Sequence, residues 1–208
     1  DKLEFTGGSA TNTAATFANF GKRVAVISKI GNDSNADFIL NDLNTRKISS
    51  DYLIKGDGDT PFSTILVSNM NKAVILVYRG IENSLKFDEI DRNFDTEWIL
   101  VGPLTGNSLN LLKGIADFCY DNKINLVLNP GSNELNLGIK KLNHILKNVR
   151  ILSMNNTEAM RFVGFKNDIR NLLELKKVSD IAIITKGSAG SIVAELPRIQ
   201  RENKKGSI

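Results

Sequence analysis

The chain has 208 residues, 41% hydrophobic and 24% charged, the composition of a globular protein with room for one substantial domain. No apolar run approaches the roughly 20 residues that cross a bilayer, and the opening Asp1-Lys2-Leu3-Glu4-Phe5 is charged and alternating, unlike a signal peptide. Most of the excess behind the net charge of +4 lies in residues 198–205, where no aromatic residues interleave for base stacking, so neither nucleic acid nor membrane is expected as a partner.

In chain order, Gly7-Gly8 leads into small residues that open a helix. Residues 23–30 (RVAVISKI) are β-branched and strand-like, and 36–46 follow as a helix with Phe38, Ile39 and Leu43 at helical spacing. Residues 62–68 and 73–78 flank Asn69-Met70-Asn71-Lys72 and read as a β-hairpin. Its alternation is imperfect, which predicts partial cover on both faces. Strands over 98–102, 124–128, 150–153 and 181–185 then alternate with helices over 108–120, 139–146, 156–163 and 168–176. That rhythm belongs to an α/β fold with a largely parallel sheet, and strands this apolar want helices on both faces. No internal repeat or linker divides the chain. The single cysteine, Cys119, excludes an internal disulfide, fits a reducing cytoplasm and falls in an apolar helical stretch as a core residue. His144, the one histidine, falls mid-helix as a packed or surface residue, and without a Cys/His cluster a zinc site is excluded.

Three loops carry chemistry. Gly7 and Gly8 let the backbone approach a ligand, and Asn12 offers both a donor and an acceptor for a sugar hydroxyl; a purely structural strand-to-helix turn explains the glycines equally well. Asn155 and Glu158 stand three residues apart where a strand feeds a helix, the usual ligand edge of an open α/β sheet. Glu158 there suits Mg²⁺ held through water, while the same spacing is also a helix cap with its capping-box partner. Thr185-Lys186-Gly187-Ser188-Ala189-Gly190 either cradles a nucleotide or turns into a short strand over 191–194. Asn129-Pro130-Gly131 is a further pocket-lining candidate at a strand end. The chain has no Walker A loop and no G-x-G-x-x-G fingerprint, so a Rossmann-type oxidoreductase is set aside.

The order of these motifs is more specific than any one of them. Gly7-Gly8-x-x-x-Asn12 with Gly21, then Ile30-Gly31-Asn32-Asp33, Asn155-x-x-Glu158 and Thr185-Lys186-Gly187-x-x-Gly190 resemble the PfkB/ribokinase family along the whole chain. The resemblance implies a three-layer αβα, Rossmann-like domain over residues 1–208 with a small β lid from about 2–6 and 62–79. It implies Gly7, Gly8 and Asn12 as sugar or nucleoside contacts. Asn155, Glu158, Thr185, Gly187 and Gly190 become the ATP contacts, with Glu158 serving Mg²⁺. It further implies a homodimer through the lid and a cytoplasmic location. The family's opening strand and its Gly-Ala-Gly-Asp turn are absent from the 208 residues, and Ala36 replaces a customary glycine. That turn carries the family's catalytic base, which is therefore expected beyond Ile208, so that no catalytic residue is assigned within the chain. The expectation is an incomplete domain without useful kinase turnover by itself. The alternative is a non-catalytic sugar- or nucleoside-binding protein of the same fold.

Overall fold

The computed structural model describes residues 5–67 and 73–195, in two compact units: residues 1–94 with 105–107, and residues 95–104 with 108–208. The hairpin's Asn69-Met70-Asn71-Lys72 turn, most of the 2–6 lid segment and the basic stretch 198–205 lie outside the described residues. So does Ile208.

The second unit is built on five strands, β5 (Trp98–Val101), β6 (Asn125–Leu128), β7 (Val149–Asn155), β8 (Ile181–Thr185) and β9 (Ser191–Glu195), adjacent in that order. The first four run parallel and β9 pairs antiparallel with β8. Helices α3 (Ser108–Asp121), α4 (Ser132–Leu146), α5 (Asn156–Val163) and α6 (Asp168–Lys176) lie in a row, each packed against the next. Parallel neighbours joined in sequence by right-handed crossovers place such helices on one face of the sheet. Alternate strand residues record this. Leu126, Leu128, Leu152, Met154, Ala182 and Ile184 are buried under the helices with Leu112, Cys119, Leu142 and Leu175. On the opposite face Trp98, Leu100 and Val193 are exposed, and Val127, Ile151 and Ile183 half-exposed. This unit therefore supplies two of the three expected layers.

The expected limits of α5, α6 and β8 coincide with the observed ones. Two other elements are longer than periodicity suggests. β7 runs on to Asn155 because Met154 and Asn155 find ladder partners in Ile184 and Thr185. α4 starts at Ser132 instead of 139, and Gly138, at φ 74° and ψ 162°, breaks it into two pieces.

In the first unit, α1 (Ser9–Asn19) and α2 (Ser34–Thr45) accompany a parallel pair, β1 (Ser28–Ile30) and β2 (Leu53–Lys55). Its small core is Ala14, Val26, Leu43 and Ile48. The strand expected over 23–30 is thus mostly irregular: its partner β2 is three residues long, and upstream only a single bridge, Ala25 to Ser49, continues the pairing. A strand extends only as far as a neighbour offers backbone groups. Lys29 points inward from β1, 8% exposed, and pairs with Glu89 at 2.6 Å, which holds that carboxyl below its ordinary range.

The hairpin forms as β3 (Phe62–Val67) and β4 (Ala73–Tyr78), with Phe62 opposite Tyr78. The partial cover expected on its faces is not found, since every residue of both strands is exposed. Among the described residues, no α-helix follows either strand to fold back over it, and no helix is long and apolar enough to cross a membrane.

Candidate active site

In the first unit, Gly8 caps α1 at φ 91°, ψ 159°, a left-handed region costly for a residue with a Cβ, and its carbonyl accepts from Asn12 N–H at 3.1 Å. Open space surrounds Gly7 and Gly8, with no atom within 4 Å of an added Cβ. At Gly8 the backbone angle, not crowding by the protein, demands glycine. Thr11 donates its hydroxyl to the Gly7 carbonyl, and Thr6 donates to Asp42 on α2. The Thr6 hydroxyl, seconded by Arg46, keeps Asp42 below the usual carboxylate range. Asn12 is exposed one turn into the helix, beside the free N–H groups of α1. The loop is thus pinned from behind by Thr6 and open in front.

In the second unit the two predicted loops come together. Asn155 and Thr185 are directly opposed in the β7–β8 ladder, so both motifs leave the sheet at the same ends of neighbouring parallel strands. Asn155 Oδ1 accepts from Glu158 N–H and Glu158 Oε2 accepts from Asn155 N–H, each at 2.8 Å. This reciprocal pair is the capping box that the spacing also allowed. Thr185 is followed by a turn in which Gly187 (φ 58°) and Gly190 (φ 85°) adopt positive φ, with Lys186 N–H donating to the Gly190 carbonyl at 2.7 Å. The turn does lead into a short strand, β9, and its residues 187–190 are exposed. Lys186 Nζ meets Asp168 Oδ2 at 2.9 Å, on the first turn of α6.

At the end of β6, Asn129 Nδ2 donates to the Ser153 carbonyl at 2.9 Å. A Cβ on Gly131 would lie 2.7 Å from Pro103 Cβ, so the loops after β5 and β6 touch there. Glu134, 1% exposed, accepts from Gly131 N–H at 2.8 Å. Sequence reasoning missed Glu134; its position three residues after Gly131, from which a carboxylate can reach back to the N-cap N–H, was the available signal. It also missed Thr60, fully buried just before β3.

For Mg²⁺, the candidate ligand is the half-buried Glu158, with Oε2 already bonded to backbone. Among the described residues no group of three or more His, Cys, Asp and Glu side chains could hold a metal. The donor set suits an ion held largely by water and phosphate oxygens, not a protein cage. Cys119 is fully buried and its thiol pushed up to about 12, so it offers no nucleophile at neutral pH. His144 is an exposed residue of α4.

Residues 4–206 match the family described as pfkB family carbohydrate kinase. The chain belongs to that family. Among pfkB relatives, a protein of Archaeoglobus fulgidus described as an uncharacterized sugar kinase is 28% identical over 183 residues, 83% of this chain and 70% of the relative. A ribokinase of Staphylococcus aureus is 32% identical over 87 residues, 41% of this chain and 29% of the relative. The crystal structure of a Methanocaldococcus jannaschii nucleoside kinase of the ribokinase family superposes with a TM-score of 0.73 at 25% identity, over 91% of this chain and 61% of that one. Over matches that take in most of this chain, it spans 61% of the nucleoside kinase and 70% of the Archaeoglobus protein.

Proposed function

We propose that this chain is part of a kinase that transfers the γ-phosphoryl group of ATP to a hydroxyl of a sugar or nucleoside. The observation that carries the reading is the Asn155–Thr185 register, which sets N-x-x-E and T-x-G side by side at one end of the parallel sheet in a pfkB-family chain. Ligands of open α/β sheets sit at those strand ends. In this reading Asn155, Glu158, Thr185, Gly187 and Gly190 face ATP, and Glu158 holds Mg²⁺ through water. Gly7, Gly8 and Asn12 hold the sugar or nucleoside, and residues 62–79 form a lid on a kinase domain spanning 1–208.

Phosphoryl transfer depends on positioning and on stabilising charge at the transferred oxygens. The 208 residues contain no Gly-Ala-Gly-Asp turn, and the reading places the catalytic base beyond Ile208. Lack of a general base alone costs about 10²–10⁴ in rate, and lack of anion-hole amides adds to that. The chain by itself is therefore expected to bind without useful turnover. The exposed apolar strands β3 and β4 support a homodimer through the lid, and the lone buried cysteine supports a cytoplasmic setting. No nucleic-acid or membrane partner is proposed.

Titration calorimetry of the chain with MgATP, adenosine and ribose tests the reading. MgATP binding that weakens in Glu158→Gln supports it. Sugar or nucleoside binding without any ATP binding would favour a non-catalytic binder, the second reading, to which the capping role of Asn155 Oδ1 and Glu158 Oε2 lends support.

A further inference from the structure

A hairpin that buries none of its own side chains cannot be oriented by packing; its roots must do it. Those roots are tied at one place. Thr60, fully buried just before β3, makes three hydrogen bonds. Its hydroxyl donates to Asp33 Oδ1 at 2.6 Å, its backbone N–H donates to Asp33 Oδ2 at 2.8 Å, and its Oγ1 accepts from Gly31 N–H at 2.9 Å. Asp33 itself caps α2, accepting from Ala36 N–H at 2.9 Å. Both carboxylate oxygens are thus used, one shared between helix and hairpin root. The other root closes on the neighbouring residue: the Asp59 carbonyl accepts from Ile81 N–H at 3.0 Å, and Tyr78 donates its hydroxyl to Asp59 Oδ2 at 2.9 Å. No slack remains around these bonds. A Cβ on Gly31 would lie 2.1 Å from the Gly58 carbonyl oxygen, and one on Gly80 2.2 Å from that of Asp59.

We infer that Asp33 and Thr60 form a clamp that sets the direction of the hairpin β3–β4, making them positioning residues for the ligand the hairpin closes over. The clamp stands on geometry alone; its effect on ligand rests on the kinase reading above. Asp33 is suited to the task because it is anchored twice, to α2 and to Thr60. A carboxylate accepting from several N–H and O–H donors makes stronger bonds than a neutral acceptor. Losing one partner leaves the others buried and unmatched.

The test compares Thr60→Val, Thr60→Ser and Asp33→Asn in the full chain. Amide hydrogen exchange is read along β3–β4, α2 and β6–β8, and calorimetry uses adenosine and ribose. In Thr60→Val and Asp33→Asn the hairpin amides should exchange about tenfold faster, with α2 and β6–β8 within about twofold of wild type. Affinity for whichever ligand binds should fall about tenfold, and Thr60→Ser, which keeps the hydroxyl, should restore both. Unchanged hairpin exchange overturns the clamp. Equal acceleration in α2 reduces Thr60 to a general stabiliser and overturns it too. Faster hairpin exchange with unchanged affinity overturns the positioning role. Should wild type bind neither adenosine nor ribose, the substrate reading fails instead, and exchange alone decides the clamp. If Thr60→Val does not fold, Asp33→Asn against Thr60→Ser carries the comparison.

Discussion

The hairpin β3–β4 and the strands β6–β8 are written in similar residues and end in opposite surroundings. Ile65, Leu66, Val74, Ile75 and Leu76 are each more than half exposed, whereas Leu126, Leu128, Leu152 and Ile184 are fully buried. Strand propensity therefore says little about burial. What separates the two is connection. Each of β6 and β7 is followed by a helix that returns over the sheet, while β3 and β4 pair with each other and, among the described residues, no α-helix crosses back over them. One region is held by packing, the other by polar bonds at its roots. Loops at the ends of packed strands inherit their rigidity; a hairpin held at the root inherits its direction from a few hydrogen bonds.

The largest expected contrast follows directly. Leu152→Ala empties space in the core under α3–α6 and should cost about 2–5 kcal/mol, read by urea unfolding. Ile75→Ala on the hairpin should cost less than about 1 kcal/mol. Similar losses at the two sites would erase the distinction. Gly80→Ala is next. Its φ of 48° and the Asp59 carbonyl 2.2 Å from the new Cβ should cost about 1–3 kcal/mol, with exchange rising in the hairpin before β6–β8. Exchange rising first in β6–β8 would mean that the root does not act locally.

Much of the packed region was legible in the sequence, because helical and strand periods there are long and clean. α5, α6 and β8 carry apolar residues at positions that admit one reading, and N-x-x-E and T-x-G stand at recognisable strand ends. The rest depended on partners distant in the chain. β7 gains Met154 and Asn155 only because β8 offers them a ladder, and β1 loses most of its expected length because β2 is short. The hairpin's exposure was hidden for the same reason: alternation speaks of the strand's own faces, not of what covers them. Thr60 lies 27 residues from Asp33 and belongs to no periodic pattern, so no local reading could join them. Asn155 and Glu158 were visible in both their senses, and the structure realises the capping sense without removing the other.

Those two senses separate experimentally, with a smaller effect. Asn155→Ala removes the cap oxygen and should cost about 1 kcal/mol by chemical denaturation. Glu158→Gln keeps a capping-box acceptor, so stability should change by less than about 0.5 kcal/mol, while any Mg²⁺-dependent affinity for ATP falls. Loss of stability in Glu158→Gln as large as in Asn155→Ala, with ATP affinity intact, would leave the pair a cap and nothing more.

Acid should act on the polar root and spare the packed sheet. The Thr60 hydroxyl and N–H, followed by the Ala36 N–H, hold the Asp33 carboxyl below its ordinary value of 3.8. A carboxyl depressed in the folded state contributes stability that is fully present above its unfolded value and disappears as pH falls through the folded one. Hairpin exchange, corrected for its intrinsic pH dependence, should therefore stay level down to about pH 4 and accelerate below it. In Asp33→Asn that acid step should vanish, the hairpin being already loosened at neutral pH. The buried residues of β6–β8 are almost wholly apolar, so their protection should show no matching step until the unit unfolds. Should the hairpin loosen only together with β6–β8, proton uptake at Asp33 would not be the local event that the root geometry requires, and the contrast between a region held by packing and one held by a clamp would lose its physical basis.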